Sequence, residues 1–280
     1  MPSQPPDARE IIAQVAAGTM SVDDAVVGLG IAETAPIWLE SLSDNRSDNR
    51  AAMQSIDGAT VDLGRRERCG FSEVIYGEGK KTSLIAEIIE TQQRAGQSSL
   101  VTRLDPSAAE SLQEKFPSGH YNALARTFRT AVKNFQPPCP APKKSFHAAV
   151  VTAGSTDAPV AEEAIETLVW MGIPYERFDD IGVAGPQRLL AAVPRIRQAS
   201  AVVVIAGMEG ALPAAIAGHL SVPIFAVPTS VGYGATLGGL TPLLGMLSSC
   251  ASNVAAVNID AGFKGGYLAG IVVHQLLVGH

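Results

Sequence analysis

The sequence predicts an α/β protein built on a doubly wound parallel sheet, with a smaller α/β region on its N-terminal side. The main observation is that short apolar runs alternate with segments of helical periodicity from residue 146 onward. Such alternation favours strand–helix–strand units joined by right-handed crossovers. The composition agrees, because 46% of the 280 residues are hydrophobic and only 17% are charged. These values are typical of an enzyme with a buried sheet rather than of a disordered chain.

Charge and cysteine content argue against several classes of protein. The net charge is −6, and basic and aromatic residues are not concentrated as a nucleic-acid surface requires, so we expect no nucleic-acid partner. The three cysteines are widely spaced and odd in number, which indicates neither a disulfide framework nor structural zinc. The N-terminus lacks an apolar signal core, and the apolar runs are too interrupted to cross a membrane. We therefore expect a cytoplasmic protein without a membrane partner.

Four segments are expected along the chain. Residues 1–56 form a helical segment followed by a polar linker, and residues 57–135 form a small α/β domain. Residues 136–145 include the run QPPCPAPKK, whose prolines predict an extended hinge. Residues 146–280 form the catalytic α/β domain.

In the small domain, two helices are expected to follow recognisable starts. Residues 80–82 (Lys-Lys-Thr) predict the start of one helix, and residues 105–107 (Asp-Pro-Ser) resemble the cap of the other. The predicted strands of this domain are residues 57–62, 71–76 and 99–102.

In the catalytic domain, strands and helices alternate to the end of the chain. The first helix is expected to carry Glu162 and Glu163 in its first turn, where carboxylates complement the helix dipole. The predicted strands are residues 146–151, 173–178, 201–205, 224–227 and 254–258, and the predicted helices are residues 159–171, 183–199, 211–219, 237–249 and 265–278.

Polar side chains follow several of these strands. Ligands of doubly wound sheets bind beyond the carboxyl ends of the strands, where the loops meet. We therefore expect six side chains to lie at one edge of the sheet: Ser155, Asp157, Glu209, Thr229, Ser230 and Asp260.

The segment AGSTD, residues 153–157, follows the first strand of the catalytic domain and opens a helix. Its backbone amides, with that of Gly154 among them, and the Ser155 hydroxyl suit a phosphate at a helix N-terminus. Asp157 suits a ribose hydroxyl, or a metal held through water. An ordinary N-cap is the alternative interpretation, since Ser, Thr and Asp are favoured there.

Glu209 is the only acid between residues 206 and 258. It lies in the turn formed with Gly207, Met208 and Gly210, between an apolar strand and a helix. We expect partial burial there to raise its pKa toward the range of a general acid or base. The alternative is a carboxylate that complements the helix dipole.

The turn after the next strand and a later thiol supply further candidates. Thr229, Ser230 and Gly232 lie in the turn PTSVGYG and are candidates for substrate binding. Cys250 follows in a Gly-rich, apolar setting and is a candidate nucleophile. A small buried hydrophobic residue is the alternative interpretation of this cysteine.

Basic residues surround the segment GFSEVIYGEGKKT. Arg68, Lys80 and Lys81 are candidates to bind anionic groups of a ligand, and the glycines of the turn allow a close approach of the backbone. A basic surface turn is the alternative.

Several long segments resemble the LarB family, whose C-terminal half has the PurE-like, flavodoxin- or Rossmann-like three-layer fold of aminoimidazole-ribotide carboxylases. The resemblance spans residues 70 to 270 and is carried by GFSEVIYGEGKKT, VVTAGSTDAPVAEEA, GMEGALPAAIAG, VPTSVGYGATLGGLTPLLGMLSSCA and VNIDAGFKGGYLAG. One departure from the purine enzymes is chemical, because Ala211 stands where they carry the histidine that shuttles a proton.

The resemblance implies a carboxylase and hydrolase of nickel-pincer nucleotide cofactor biosynthesis. Its substrates would be nicotinic acid adenine dinucleotide, CO2 and water, and its products pyridinium-3,5-biscarboxylic acid mononucleotide and AMP. By the same resemblance, Cys250 is the covalent nucleophile and Glu209 the acid/base. Ser155 and Asp157 would bind the mononucleotide or Mg2+ near the pyrophosphate, and the protein would be a homo-oligomer, as PurE-like octamers are.

Three other functions stay open at this point. The first is an aminoimidazole-ribotide carboxylase or mutase, which the alanine at position 211 makes less favourable. The second is a non-catalytic nucleotide-binding module. The third is a pyrophosphatase that releases AMP without fixing CO2.

Overall fold

The computed structural model describes residue 11, residues 14–21, residue 25, and residues 52–131 and 146–278. The chain divides into two compact units, Met1–Met53 and Gln54–His280. The helical segment and linker predicted for residues 1–56 fall largely outside the described residues, and the predicted hinge at 136–145 falls entirely outside them. The elements below are numbered from residue 53.

A five-stranded parallel sheet forms the centre of the catalytic region, in the order β11-β10-β9-β7-β8. The first strand in sequence, β7, pairs with β8 on one side and β9 on the other, so the chain winds outward in both directions. This is the doubly wound sheet that the sequence predicts. The strands are β7 (Ala148–Thr152), β8 (Tyr175–Phe178), β9 (Ala201–Ala206), β10 (Ile224–Pro228) and β11 (Val254–Ala256).

Helices cover both faces of this sheet. Side chains that alternate along the central strands are therefore buried on both sides. On one face, α4 (Ala158–Met171) and α8 (Gly262–Val278) pack together. The backbones come so close that a Cβ on Gly262 would lie 2.1 Å from the carbonyl oxygen of Val160. On the other face lie α5 (Pro186–Ile196), α6 (Leu212–Ala217) and α7 (Leu240–Leu247).

A second, four-stranded sheet precedes the catalytic region, with the order β3-β4-β6-β5. Strands β3 and β4 are parallel, whereas β6 is antiparallel to both β4 and β5. Its core contains Ile85, Ile89, Leu112 and Phe128. The elements are β1 (Met53–Ile56), β2 (Ala59–Asp62), α1 (Arg65–Cys69), β3 (Ile75–Tyr76), α2 (Thr82–Arg94), β4 (Ser99–Thr102), α3 (Pro106–Lys115), β5 (His120–Asn122) and β6 (Thr127–Thr130).

Buried polar contacts join this small sheet to helix α4. Arg129 of β6 donates from Nε to Glu166 at 2.7 Å, and both partners are largely shielded from solvent. Asn122 of β5 donates from one amide nitrogen to Glu162 and Glu166. The small sheet is therefore fixed against the catalytic sheet by hydrogen-bonded charges whose separation would leave a buried carboxylate unpaired.

Some predicted boundaries differ from the structure. The strand expected at 57–62 begins only at Ala59, because Gly58 has a positive φ of 85° and lies in the turn that follows a separate strand, Met53–Ile56. The strand expected at 71–76 is reduced to Ile75–Tyr76. The helix expected to begin at residue 237 starts at Leu240, after a 3₁₀ segment at Gly234–Gly239.

The role predicted for Glu162 and Glu163 is wrong. Helix α4 begins at Ala158 and has no acidic residue in its first turn. Instead Glu162 binds Arg177, and the buried Glu163 accepts a hydrogen bond from the backbone nitrogen of Phe263 at 3.0 Å. These carboxylates therefore join α4 to its neighbours rather than complement its dipole.

Candidate active site

Two adjoining cavities open at the carboxyl edge of the parallel sheet, where the prediction places the site. The glutamate cavity has a volume of about 290 Å³, and its lining includes Gly154, Asp157, Gly207, Met208, Glu209 and Arg188. The arginine cavity has a volume of about 230 Å³, and its lining includes Arg103, Arg126, Glu163, Ser230 and Asp260. The two cavities adjoin, because Thr156 and Val231 line both of them.

Asp157 is the buried acid of the glutamate cavity, with 2% of its surface exposed. Its Oδ1 accepts a hydrogen bond of 2.8 Å from Thr229 Oγ1, and its Oδ2 accepts one of 2.9 Å from the backbone nitrogen of Gly154. Burial raises the pKa of Asp157, the two hydrogen bonds oppose that rise, and the nearby charge of Asp260 adds to it. A buried, oriented carboxyl with a raised pKa is a common feature of catalytic sites.

The turn after β9 presents the backbone and side chain of Glu209 to the same cavity. Met208 has a positive φ of 54°, and Gly210 follows with a φ of 71°. At Gly207 a Cβ would lie only 2.3 Å from the carbonyl oxygen of Val231, so this position excludes any larger residue. The turn therefore depends on its glycines, and the peptide backbone is exposed to a ligand at this point.

The burial expected for Glu209 is wrong, because its side chain is exposed. The strand before it is buried, but the turn that follows the strand leaves Glu209 exposed. The partly desolvated acid of this cavity is Asp157 instead.

The turn after β10 joins the two cavities. Thr229 is fully buried and holds Asp157, while the exposed Ser230 donates its backbone nitrogen to Oδ1 of Asp260 at 2.8 Å. Gly232 has a φ of 145° and packs against Thr236, but it lines neither cavity. Of the candidates in this turn, Thr229 and Ser230 therefore contact the site most directly.

The AGSTD segment folds as predicted into a turn before a helix, here with a 3₁₀ start at Ser155–Asp157. Ser155 is exposed and lines neither cavity, whereas its neighbour Thr156 lines both. The sequence reasoning named Ser155 because a hydroxyl at a helix start suits an anion, but the geometry turns Thr156 toward the cavities.

The three basic residues predicted to bind anionic groups, Arg68, Lys80 and Lys81, lie elsewhere. Arg68 binds Asp62 at 2.5 Å, and Lys80 donates to the backbone carbonyl of Tyr76 at 2.9 Å. Lys80 and Lys81 line a separate cavity beside Asp57 and Glu87. The structure does not bring these three basic side chains to the glutamate or the arginine cavity.

Cys250 is exposed and lines neither of these cavities. It lies in the loop between α7 and β11, whose Asn253 donates to the carbonyl groups of Leu220 and Val222 before β10. This loop is at the amino edge of the sheet, whereas Glu209 follows β9 at the carboxyl edge. Helix α7 packs against the Glu209 turn before it reaches this loop, because a Cβ on Gly245 would lie 2.9 Å from the Glu209 carbonyl oxygen.

Metal ligands are sparse in this site. Among the described residues, no group of three or more His, Cys, Asp or Glu side chains could hold a metal ion. Both oxygens of Asp157 already accept hydrogen bonds from Thr229 and Gly154. The described residues therefore do not fit a Mg2+ ion held by the protein alone, although Mg2+ is often bound through substrate phosphates with few protein ligands.

Four charged residues that line the cavities were not predicted from the sequence as site residues: Arg103, Arg126, Glu163 and Arg188. Burial raises the pKa of Glu163, and the contacts with the Phe263 amide and Arg103 oppose that rise. Arg103 lies at the end of a strand in the small sheet, and no local motif in the sequence indicates that it reaches the other domain.

Membrane insertion finds no support among the described ranges, where every helix is too short or too polar to span a bilayer.

Comparisons with known proteins match both halves of the chain. A family described as LarB/PurE-like N-terminal domain matches residues 53–133, and one described as AIR carboxylase matches residues 147–278. The uncharacterized protein MJ0165 of Methanocaldococcus jannaschii is 38% identical over 224 residues, which cover 76% of this chain and 82% of that protein. A crystal structure of a Treponema denticola PurE2 variant has 17% identity and a TM-score of 0.38, and covers 48% of this chain and 91% of that chain.

Proposed function

Because the chain belongs to the LarB family and its function is of the carboxylase type, we propose that it carboxylates and hydrolyses nicotinic acid adenine dinucleotide. The products are pyridinium-3,5-biscarboxylic acid mononucleotide and AMP. The observation that carries the proposal is the meeting of the Glu209 turn and the buried Asp157 in one cavity of about 290 Å³. The resemblance of the segments around Glu209 and Cys250 to the LarB family supplies the substrate.

The chemistry requires a nucleophile that adds and leaves. A pyridinium ring is electron-poor and does not attack CO2. Addition of a thiolate at ring C4 converts it into a dihydropyridine whose C5 carries enamine character. C5 then forms a bond to CO2, loses its proton to a base, and expels the thiolate as aromaticity returns. Cysteine suits this role because a thiolate is both nucleophilic and a good leaving group.

Glu209 is the base that we assign to C5. It lines the glutamate cavity and is exposed, so it can exchange the proton with solvent after each turnover. Asp157 stabilises the site, because its two hydrogen bonds fix the positions of the Gly154 backbone and of Thr229. The cavity wall formed by Gly207 and Met208 offers a surface for the ring and its carboxylate.

Cys250 reaches this base in a second copy of the chain. Its thiol is exposed at the amino edge of the sheet, next to an apolar surface on α7 where Leu240, Leu244 and Leu247 are 41%, 54% and 63% exposed. Exposed apolar surfaces of this kind commonly form interfaces. A homo-oligomer of closed symmetry, for which an octamer is our expectation, places the thiol of one copy at the glutamate cavity of another.

Hydrolysis of the phosphoanhydride accounts for the second product. Water attacks the pyrophosphate, AMP leaves, and the nicotinate mononucleotide half stays in the glutamate cavity. We propose that Mg2+ enters as a complex with the pyrophosphate, because the described residues do not provide a protein site for it.

The ribotide carboxylase alternative lacks its proton shuttle. Ala211 lines the glutamate cavity, and within the described residues no histidine lines either cavity. A binding module or a simple pyrophosphatase would not need the thiol at all.

The deciding experiment is mass spectrometry of the products formed from nicotinic acid adenine dinucleotide, Mg2+ and labelled bicarbonate. A labelled biscarboxylated mononucleotide together with AMP supports the proposal, provided that the Cys250→Ala variant forms neither labelled product nor thiol adduct. Release of AMP without label would identify a pyrophosphatase. Turnover of aminoimidazole ribotide without turnover of the dinucleotide would restore the purine carboxylase.

A further inference from the structure

The arginine cavity places two like charges side by side. In the antiparallel ladder of β4 and β6, Val101 lies opposite Phe128. Continuing that register places Arg103 opposite Arg126, and the Leu104 nitrogen donates to the Arg126 carbonyl at 2.8 Å. Like charges at directly opposite positions destabilise a sheet. A negatively charged ligand between them would remove that repulsion.

Both guanidinium groups keep donors available. Arg126 uses Nε and Nη2 for the carbonyl groups of Leu104 and Arg103 and for the exposed carboxylate of Asp105. Arg103 uses Nε for Glu163 at 3.4 Å and Nη2 for the carbonyl of Asp260. Within the described part of the chain, Nη1 of neither arginine has a hydrogen-bond partner, and each Nη1 carries two N–H groups.

The acids of the cavity are already engaged. Asp260 accepts the backbone nitrogen of Ser230 through Oδ1. Glu163 accepts the Phe263 amide and pairs with Nε of Arg103. The acids of the lining therefore leave Nη1 of both arginines available to a ligand.

The backbone at these residues is unusual. Arg103, Arg126 and Asp260 have φ values of 54°, 53° and 53°, in the left-handed region that non-glycine residues rarely adopt. Together with Met208 of the neighbouring cavity, they make up four of the six described non-glycine residues with positive φ. Residues held in such conformations concentrate at ligand-binding sites, where the surrounding structure enforces them.

We infer that the arginine cavity is a phosphate subsite, in which Arg103 and Arg126 of the small sheet bind the phosphate groups of the nucleotide substrate. The inference rests on the proposed function for the identity of that nucleotide. A guanidinium presents a planar fork that matches two phosphate oxygens. The adjoining glutamate cavity then receives the pyridinium ring, so the LarB/PurE-like N-terminal domain selects phosphorylated substrates over free pyridines.

The test measures binding of AMP to the full-length protein by calorimetry, without turnover. We expect Arg126→Ala to weaken AMP binding by about 10- to 100-fold, the loss that follows when charge-assisted hydrogen bonds are removed. Arg126→Lys should be intermediate, because an ammonium lacks the fork. Arg94→Ala on α2, an exposed arginine outside both cavities, is the matched control and should bind as the wild type does.

Each outcome decides the inference. Wild-type protein that does not bind AMP, or an Arg126→Ala variant of unchanged melting temperature that binds AMP as tightly as the wild type, would overturn it. If Arg126→Ala does not fold, Arg126→Lys is measured instead. An Arg126→Lys variant that binds AMP with unchanged affinity and unchanged salt dependence would also overturn the inference. Binding that depends on Arg126 in a protein that fixes no CO2 would keep this subsite and refute the proposed function.

Discussion

Thr229 Oγ1 donates a hydrogen bond of 2.8 Å to Oδ1 of Asp157, although the two residues are 72 positions apart. Thr229 follows β10 and Asp157 follows β7, so the contact joins two loops at the carboxyl edge of the sheet. Both residues are buried. The contact fixes the only buried acid that lines the glutamate cavity within the described residues.

Thr229→Val tests this contact, because valine keeps the shape and removes the donor. We expect the free energy of unfolding to fall by about 1–3 kcal/mol, since a buried acceptor loses its partner. Urea unfolding of wild type and variant measures this change. Ser230→Ala is the control, because the contact of Ser230 with Asp260 uses the backbone nitrogen. Equal losses in the two variants would contradict the assignment.

The raised pKa of Asp157 predicts a dependence of stability on pH. A carboxyl whose folded pKa lies above its unfolded value stabilises the fold fully below the unfolded pKa, and this contribution is lost as pH rises through the folded pKa. Asp157→Asn cannot ionise. We therefore expect its stability relative to the wild type to increase as pH rises from below the ordinary value of 3.8 toward neutrality.

Unfolding experiments at several pH values measure that difference. The control is Asp57→Asn, because Asp57 is exposed in the turn between β1 and β2. A difference between Asp157→Asn and wild type that stays constant with pH would show that burial does not govern this carboxyl.

Gly207 lies so close to the turn after β10 that any side chain at this position is expected to lower stability and activity. A Cβ there would meet the Val231 carbonyl oxygen at 2.3 Å and Thr229 Oγ1 at 2.7 Å. We expect Gly207→Ala to lower the free energy of unfolding by about 1–3 kcal/mol through overpacking, and to reduce activity because Thr229 moves. Gly218→Ala should leave stability and activity nearly unchanged, because no atom outside the local backbone lies within 4 Å of a Cβ added there. Thermal unfolding and initial rates of the two variants compare them directly.

The sequence predicted the sheet well because each strand of the catalytic region is a short apolar run bounded by turn residues. It also placed Asp157, Thr229 and Ser230 at one edge, since parallel strands end together. It could not predict that Arg103 and Arg126 reach the same edge, because the register that sets them opposite each other depends on pairing of β4 with β6. Nor could it predict the exposure of Glu209, because the turn that carries it contains a non-glycine residue, Met208, with a positive φ.

Cys250 is a predicted site residue that the structure does not bring to the glutamate cavity of the same chain. Similarity to the LarB family grouped it with Glu209, but a helix that follows a strand returns the chain to the amino edge of a parallel sheet. The loop between α7 and β11 therefore lies at the amino edge, and Cys250 does not line the glutamate cavity of the same chain. The alternation of elements alone indicates that placement, and under the proposed function a second copy of the chain supplies the thiol.

Co-expression of two inactive variants tests whether the thiol and the base come from different copies. Cys250→Ala lacks the nucleophile, and Glu209→Gln lacks the base. If each site combines Cys250 of one copy with Glu209 of another, random assembly of equal amounts restores about one quarter of wild-type activity, because each group is intact in half of the chains. Two separately purified variants mixed without exchange of subunits serve as the control. Mixed oligomers that stay as inactive as their parents would place both groups in one chain and refute the shared site.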